Sequence, residues 1–323
     1  MKIFRVLLYC AASTAVSVSI LFVHCTDSDE HCASRAPVSM KTAGRIILTI
    51  GDSNGVVNGG WPAQLAVICA SDTVINNSES GRTIGFDNSG KKQWNALRNI
   101  DGYLSGALTK TVGSPIDEVV IMLGTNDTKA CFADRQDAVP RNLAALVQKI
   151  RSFNNGDSTA PHITIVSPPP YAHDDQSPDK ARGAHIRVRS LAAAFRNVAL
   201  NMGCGFVNMH QVIEPVFSRV AVDHVHLSRQ GHAIVARAIA SVLNDRTKPL
   251  PPWDVQVEGA EMNWRPSPSS DVLGYEIIQD GRVAASTSAL HAVRKGLSEQ
   301  TGVRARDMYG NVSDLVYGRR VGQ

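Results

Sequence analysis

The hydrophobic positions of the chain follow two alternating patterns. Short runs of apolar and β-branched residues are typical of buried strands. Between them lie segments in which apolar residues recur every three or four positions, as in amphipathic helices. The predicted strands are 45–50, 73–76, 118–123, 162–167 and 205–208, and the predicted helices are 61–70, 92–108, 140–154, 184–201 and 229–244. Strict alternation of the two predicts a parallel sheet covered by helices on both faces.

The pattern changes after the last of these helices. Residues 247–252 form a stiff, proline-rich linker. The chain beyond it contains only short strand-like pieces, broken by Pro, Gly, Ser and Asp, at 253–257, 260–264, 274–278, 281–285 and 301–306. We therefore predict an α/β domain over 44–246 and a small all-β sandwich over 253–318.

The first 25 residues are typical of an export signal. Lys2 and Arg5 precede an apolar run over 6–23, and a polar, acidic stretch follows. The run is near the short limit for crossing a bilayer, so an uncleaved anchor that tethers the protein to a membrane is the alternative. Either way, the sequence predicts an exported protein, periplasmic or extracellular, with residues 26–43 as a polar tether. It does not determine the oligomeric state.

Charge and cysteine content limit the classes of partner. The formal net charge is only +4, and no dense basic cluster indicates binding to nucleic acid. Removal of 1–25 would leave Cys32, Cys69, Cys131 and Cys204, which allow three complete disulfide pairings. No C-x-x-C spacing favours a zinc site.

A serine follows the first predicted strand. The strand ends in Gly51-Asp52-Ser53, which places Ser53 at the carboxyl edge of the sheet, where open α/β sheets bind ligands. The alternative is an ordinary turn or helix N-cap.

Two further strand ends carry groups suited to binding an oxyanion. The second strand opens into a loop containing Gly81, which can aim a backbone N–H into a cleft. The third ends at Gly124-Thr125-Asn126-Asp127, where the Asn126 amide can donate to negative charge. A loop glycine and a turn asparagine are the alternatives.

Asp223 and His226 lie three residues apart, just before the last predicted helix. This spacing lets the carboxylate accept a hydrogen bond from one imidazole nitrogen while the other faces Ser53 as a general base. Metal binding by His224 and His226 is the competing interpretation, although no third ligand is near. We expect His232, at the start of the helix, to be structural.

Together these four blocks resemble the SGNH, or GDSL-like, hydrolase family over roughly residues 44–245. The resemblance implies a flavodoxin-like three-layer α/β/α sandwich with a five-stranded parallel sheet. It implies Ser53 as nucleophile in a triad with His226 and Asp223. The oxyanion hole would combine the Ser53 N–H, the Gly81 N–H and the Asn126 side chain, with no metal or organic cofactor. Residues 124–130 and 167–170 resemble the arylesterase-type branch of the family.

Two positions depart from the family pattern, and two others are candidates for substrate contact. Asn54 replaces the leucine of the GDSL name, and His224 stands where a small residue is common. A second imidazole beside the general base would narrow the cleft or shift the pKa of the base. Arg82 and Trp61 are the candidates for contact with substrate, and the Pro- and Asp-rich loop 168–183 is expected to line the cleft.

The C-terminal region resembles a shortened fibronectin type III domain. Trp264 would be its core tryptophan, while Gln300-Thr301-Gly302 occupies the place of the usual tyrosine. The region is short for the fold, so we expect a strand to be lost. Its role would be that of a spacer or of a glycan- or wall-binding module.

The function predicted from these features is an exported serine esterase that hydrolyses a short-chain acyl ester, such as an O-acetyl group on carbohydrate. The substrate would be a small molecule or a carbohydrate ester. An acyltransferase using the same triad is one alternative, and a glycan-binding or adhesion protein with a silent hydrolase core is another. A nucleotide-binding sheet is excluded because neither G-x-G-x-x-G nor a Walker loop follows the first strand.

Overall fold

A five-stranded parallel sheet forms the centre of the first half of the chain. The computed structural model describes residues 44–156, 159–298 and 300–320. The predicted export segment, the tether and Cys32 lie outside these residues. The sheet has the order β2-β1-β3-β4-β5, with β1 Ile46–Gly51, β2 Thr73–Ser78, β3 Glu118–Met122, β4 His162–Val166 and β5 Gly205–Val207. The predicted sheet is confirmed.

Helices cover both faces of this sheet, as in other doubly wound folds. They are α1 Ser53–Val56, α2 Trp61–Ile68, α3 Ala96–Lys110, α4 Ala138–Ser152, α5 Ala184–Met202, α6 Met209–Ile213, α7 Phe217–Val220 and α8 Arg229–Asn244. Apolar residues of α3, α4 and α5 pack on one face, and those of α2, α6 and α8 on the other. Neighbouring residues of β3 alternate between the two cores, Val119 and Ile121 in the first and Val120 and Met122 in the second. The flavodoxin-like α/β/α sandwich is therefore confirmed.

A β-sandwich follows the α/β core. Its strands are β6 Trp253–Glu258, β7 Glu261–Arg265, β8 Val272–Gln279, β9 Arg282–Thr287, β10 His291–Val293, β11 Gly302–Asp307, β12 Val316–Tyr317 and β13 Arg319–Arg320. They form two four-stranded sheets, β10-β7-β6-β13 and β12-β11-β8-β9. Trp264 is buried in the core between them, with its ring 5.6 Å from the ring of Tyr275. The expected loss of a strand is not seen among the described residues.

The sandwich packs against the edge strand of the parallel sheet. Phe206 in β5 donates its backbone N–H to the carbonyl of Met308 at 2.7 Å. Leu273 of the sandwich is buried within the hydrophobic cluster of the α/β core, and Arg196 in α5 hydrogen-bonds the Leu273 carbonyl. The two parts therefore share apolar and main-chain contacts, and the sandwich covers the β5 edge.

The element boundaries differ from the predictions in a few places. Residues Lys92–Trp94 form a 3-10 turn, and α3 begins only at Ala96, because the Asn95 side chain accepts the Arg98 N–H and caps the helix. Ser228 caps α8 in the same way, so His232 lies within the first turns and does not cap the helix. Six of the short elements, α1, α6, α7, β10, β12 and β13, were not predicted, because their few residues show no clear periodicity.

Cys69, Cys131 and Cys204 are free cysteines in the structure. Each complete pairing of the four cysteines would join two of these three, and no such bond is present among the described residues. Among the helices of residues 44–156, 159–298 and 300–320, none has the length and apolar character needed to span a membrane.

Candidate active site

Ser53 is the first residue of α1, directly after β1. The turn between them is built by Asp52, whose Oδ1 accepts the Asn54 N–H at 3.0 Å and caps the helix. Asp52 is buried, which raises the pKa of its carboxyl, while hydrogen bonds from Asn54 and Thr125 act in the opposite direction. The predicted turn and N-cap exist, but the cap is Asp52, and Ser53 stays partly exposed.

Asp223 and His226 form a compact pair in the loop before α8. Asp223 Oδ2 lies 2.7 Å from His226 Nδ1, and Oδ1 accepts the backbone N–H groups of His226 at 2.7 Å and Val225 at 2.8 Å. Desolvation on burial opposes ionisation of Asp223. Hydrogen bonds from the His226 ring and the two N–H groups outweigh it and hold the Asp223 pKa at about 2. Asp223 is therefore a carboxylate at neutral pH.

The other nitrogen of His226 faces the serine. His226 Nε2 lies 3.0 Å from Ser53 Oγ, although the residues are 173 positions apart in the chain. The folded chain thus brings a hydroxyl, an imidazole and a carboxylate into one hydrogen-bonded line. Such a line can remove a proton from the hydroxyl as its oxygen attacks an electrophile.

Gly81 and Asn126 lie in adjoining loops whose neighbouring residues contact the turn before Ser53. Arg82 hydrogen-bonds the Gly51 carbonyl, and Thr125 hydrogen-bonds Asp52. The Asn126 Nδ2 group donates to the carbonyl of Arg82 at 3.0 Å, which ties the end of β3 to the Gly81 loop. Gly81 has φ +85°, and its Cα packs against the indole ring of Trp94. Within the part of the chain that the structure describes, the Gly81 N–H has no hydrogen-bond acceptor. One N–H of the Asn126 amide and the N–H of Gly81 remain available for an anionic oxygen.

A buried carboxyl, Asp127, connects the same two loops. It is fully buried, and its oxygens accept the Ile84 N–H at 3.0 and 3.1 Å. Burial raises its pKa to about 7, against the effect of these hydrogen bonds. Asp127 therefore supports the position of Asn126 relative to the Gly81 loop.

The two candidates for substrate contact are buried, and this prediction is wrong. Trp61 is 0% exposed and packs in the core beneath α8. Arg82 is 3% exposed; its guanidinium hydrogen-bonds Asn77 and lies 4.3 Å above the ring of Tyr103. The side chains of both residues therefore point into the protein interior and not towards a substrate.

The His224 carbonyl accepts the Ala172 N–H at 2.9 Å, and the His224 ring lies 6.1 Å from the ring of Tyr171. These contacts join the histidine loop to the predicted cleft loop 168–183. A cleft of about 470 Å³ opens beside Asp223, and this loop, His185 and His210 form part of its lining.

No group of three or more metal-binding side chains assembles within residues 44–156, 159–298 and 300–320. The pair His224 and His226, considered above as a metal site, therefore has no third protein ligand among these residues. His232 is buried, which lowers its pKa to about 4 and keeps the ring neutral near pH 7.

Sequence reasoning missed the supporting roles of Trp94 and Asp127. Asp127 stands inside a recognised block, so its position was visible without its contacts. Trp94 gave no signal, because its packing against Gly81 depends on the path of the intervening loop.

Comparisons with known proteins identify the family of the α/β domain and similar solved structures. The model of the GDSL-like lipase/acylhydrolase family matches residues 48–234. A carbohydrate acetylesterase from Sinorhizobium meliloti, Est24, is 25% identical, with a TM-score of 0.52, over 61% of this chain and 97% of its own. An aryl esterase from M. smegmatis is 27% identical, with a TM-score of 0.52 and the same coverages. A search of curated proteins found no significant match.

The α/β/α fold and its likeness to solved esterases define a carboxylic ester hydrolase. The family model covers more than half of the chain. The chain belongs to the GDSL-like lipase/acylhydrolase family.

Proposed function

We propose that Ser53, His226 and Asp223 are the catalytic triad of this esterase. The observation that carries the proposal is the hydrogen-bonded line from Ser53 Oγ to His226 Nε2, at 3.0 Å, and from His226 Nδ1 to Asp223 Oδ2, at 2.7 Å. Ser53 Oγ attacks the ester carbonyl while His226 Nε2 accepts its proton. The Asp223 carboxylate holds the ring in the required tautomer and stabilises the imidazolium.

The tetrahedral intermediate carries its negative charge on the former carbonyl oxygen. We assign its stabilisation to the N–H groups of Ser53 and Gly81 and to the Asn126 amide. Collapse of the intermediate expels the alcohol, which takes the proton from His226. Water then attacks the acyl-Ser53 ester with His226 as base, and the carboxylic acid leaves. The steps require no metal or organic cofactor.

The proposed substrate is a short-chain acyl ester, with O-acetyl groups on carbohydrate as the first choice. The similarity to a carbohydrate acetylesterase supports an acetylated sugar, and the similarity to an aryl esterase supports small aryl esters. The two are separated by comparing kcat/KM for phenyl acetate with that for acetylated xylan and peracetylated monosaccharides.

The proposed location is outside the cytoplasm, with residues 1–25 as an export signal that is either cleaved or kept as an anchor. The basic start and the apolar run over 6–23 support this. N-terminal sequencing of the protein recovered from the periplasm, the medium and the membrane fraction distinguishes the two forms. Full-length protein found only in the cytoplasm would contradict export.

We further propose that the sandwich is a fibronectin type III-like module. Its two sheets, with strand orders β10-β7-β6-β13 and β12-β11-β8-β9, support this, as does the core position of Trp264. Its role as a spacer or as a glycan-binding module is tested by measuring how much Ser53→Ala protein binds to insoluble polysaccharides. The comparison is a double variant that also carries Trp253→Ala, a change on the exposed surface of the sandwich.

The decisive experiment for the triad uses p-nitrophenyl acetate with the wild-type protein and the Ser53→Ala variant. We expect kcat to fall by about 10⁶-fold in the variant, because the nucleophile is lost. A fluorophosphonate should label the wild-type protein at Ser53 and leave the variant unlabelled. Substantial turnover by purified, folded Ser53→Ala protein would exclude Ser53 as the nucleophile.

A further inference from the structure

The side chain of Asn54 connects the serine turn to the histidine loop. Asn54 is 1% exposed. Its Oδ1 accepts the Leu227 N–H at 3.0 Å, and its Nδ2 donates to the Val225 carbonyl at 3.3 Å. Val225 and Leu227 are the two neighbours of His226 in the chain. One amide, placed directly after Ser53, thus holds the backbone on both sides of the imidazole.

Apart from these two bonds and the bond between His226 and Ser53, the other hydrogen bonds described for the histidine loop run within the loop or to segments other than the Ser53 turn. The Asp223 carboxylate binds His226 within the loop itself, and Val222 donates its N–H to the His226 carbonyl at 2.8 Å. The bond between Ala172 and the His224 carbonyl joins the loop to the segment after β4. The pair of Asp223 and His226 would therefore move as a unit if the loop shifted, and the Ser53–His226 distance would change.

We infer that Asn54 is a positioning residue that sets the distance between the Ser53 hydroxyl and the His226 imidazole. The inference rests on the proposed function of these two residues. Proton transfer depends steeply on this distance, and a displacement of about 1 Å can lower the rate by about 10²-fold. Asn54 therefore acts on the chemical step and not on substrate binding.

Another asparagine supplies a matched control. Asn155 is 3% exposed and pairs in the same way with a backbone, accepting the Ile116 N–H and donating to the Ile116 carbonyl, both at 2.9 Å. Ile116 lies just before β3, at the amino edge of the sheet, whereas the triad lies at the carboxyl edge. Substitution of Asn155 removes a buried bidentate amide without touching the histidine loop.

The test compares Asn54→Ser, Asn54→Leu and Asn155→Ser with the wild-type protein. Serine is too short to reach both backbone groups, and leucine keeps the volume without hydrogen bonds. We expect both Asn54 variants to lower kcat for p-nitrophenyl acetate, and the rate of fluorophosphonate labelling, by about 10- to 100-fold, with KM unchanged within about twofold. Asn155→Ser should keep the wild-type kcat within about twofold.

Amide hydrogen exchange supplies a readout that does not depend on activity. The Leu227 amide should exchange faster in both Asn54 variants and at the wild-type rate in Asn155→Ser. Wild-type kcat in the Asn54 variants, a loss equal to that of Asn155→Ser, or unchanged Leu227 exchange would each overturn the inference. If the wild-type protein neither turns over the ester nor labels at Ser53, the proposed function fails, and Leu227 exchange alone then decides whether Asn54 holds the loop.

Discussion

Some polar groups of the site already make hydrogen bonds within the protein and keep other donors free. The Asn126 amide gives one N–H to the Arg82 carbonyl, which orients the other N–H. A group held in this way stabilises developing charge without reorganising during the reaction. We therefore expect the Asn126 amide to contribute more to stabilising the transition state than to binding the substrate.

Replacement of Asn126 by alanine tests that role. We expect kcat to fall by about 10²- to 10³-fold, with a small change in KM, because the donor acts on the oxyanion. The measurement is steady-state hydrolysis of p-nitrophenyl acetate. Asn99→Ala, which removes an amide bonded only to carbonyls around the start of α3, should keep full activity. A rise in KM at unchanged kcat would contradict the assignment.

Asp127 makes stability depend on pH. The folded protein keeps a proton on this carboxyl up to about pH 7, whereas the unfolded chain releases it near its ordinary value of 3.8. Between these values the folded state binds more protons, so the Asp127 contribution to the free energy of unfolding falls as pH rises, by at most about 1.4 kcal/mol per pH unit.

The measurement is urea unfolding at pH 4.5, 5.5 and 7 of wild-type and Asp127→Asn proteins. The variant should gain stability relative to the wild type as pH rises through this window. Asp101→Asn, at an exposed ion pair with Lys149, is the control and should follow the wild type. Parallel curves for wild-type and Asp127→Asn proteins would show that Asp127 titrates normally.

At the scale of elements, the loop from β2 to α3 shapes the oxyanion side of the site. Gly81 combines a left-handed backbone with close contact to Trp94, to which an added Cβ would approach within 3.1 Å. Gly90 in the same loop also has a left-handed backbone, but an added Cβ would meet nothing within 4 Å. Alanine substitutions at the two glycines therefore distinguish the effect of backbone strain from the effect of displacing the loop.

Gly81→Ala should therefore lower kcat strongly, while Gly90→Ala should leave it unchanged. Each alanine carries a conformational cost of about 1–2 kcal/mol in the left-handed region, so both variants should lose similar stability from strain. Only Gly81→Ala also displaces the loop and its N–H. The checks are kcat for p-nitrophenyl acetate and thermal unfolding; equal activities of the two variants would refute a role for the Gly81 N–H.

At the scale of the whole molecule, the sandwich is packed onto the core. It covers β5, which would otherwise present an open edge strand to the solvent, and it inserts Leu273 into the core of the α/β part. The proline-rich linker 247–252 is therefore not the only connection between the two parts. We expect them to unfold together.

Leu273→Ala tests this coupling. Loss of a buried leucine should cost about 2–5 kcal/mol and lower the temperature of a single, shared transition in calorimetry. Leu290→Ala, at a sandwich residue that is 41% exposed, is the control and should have a small effect. Two separate transitions, with only that of the sandwich affected by Leu273→Ala, would show that the two parts unfold independently.

The sequence by itself determined the elements and the edge of the sheet at which the chemistry lies. Buried apolar runs and amphipathic periods are local properties, so β1 to β5 and the long helices could be predicted within a few residues. Parallel strands bring their carboxyl ends to one edge, so Ser53, Gly81 and Asn126 could be placed together before any coordinates were known.

Only the tertiary structure decided the contacts between distant segments. The 3.0 Å approach of Ser53 and His226, the burial of Arg82 and Trp61, and the bridge made by Asn54 all join residues whose separation in the chain carries no distance information. The docking of the sandwich on β5 is of the same kind. These features depend on how side chains pack once the elements have assembled, and local sequence patterns do not encode that packing.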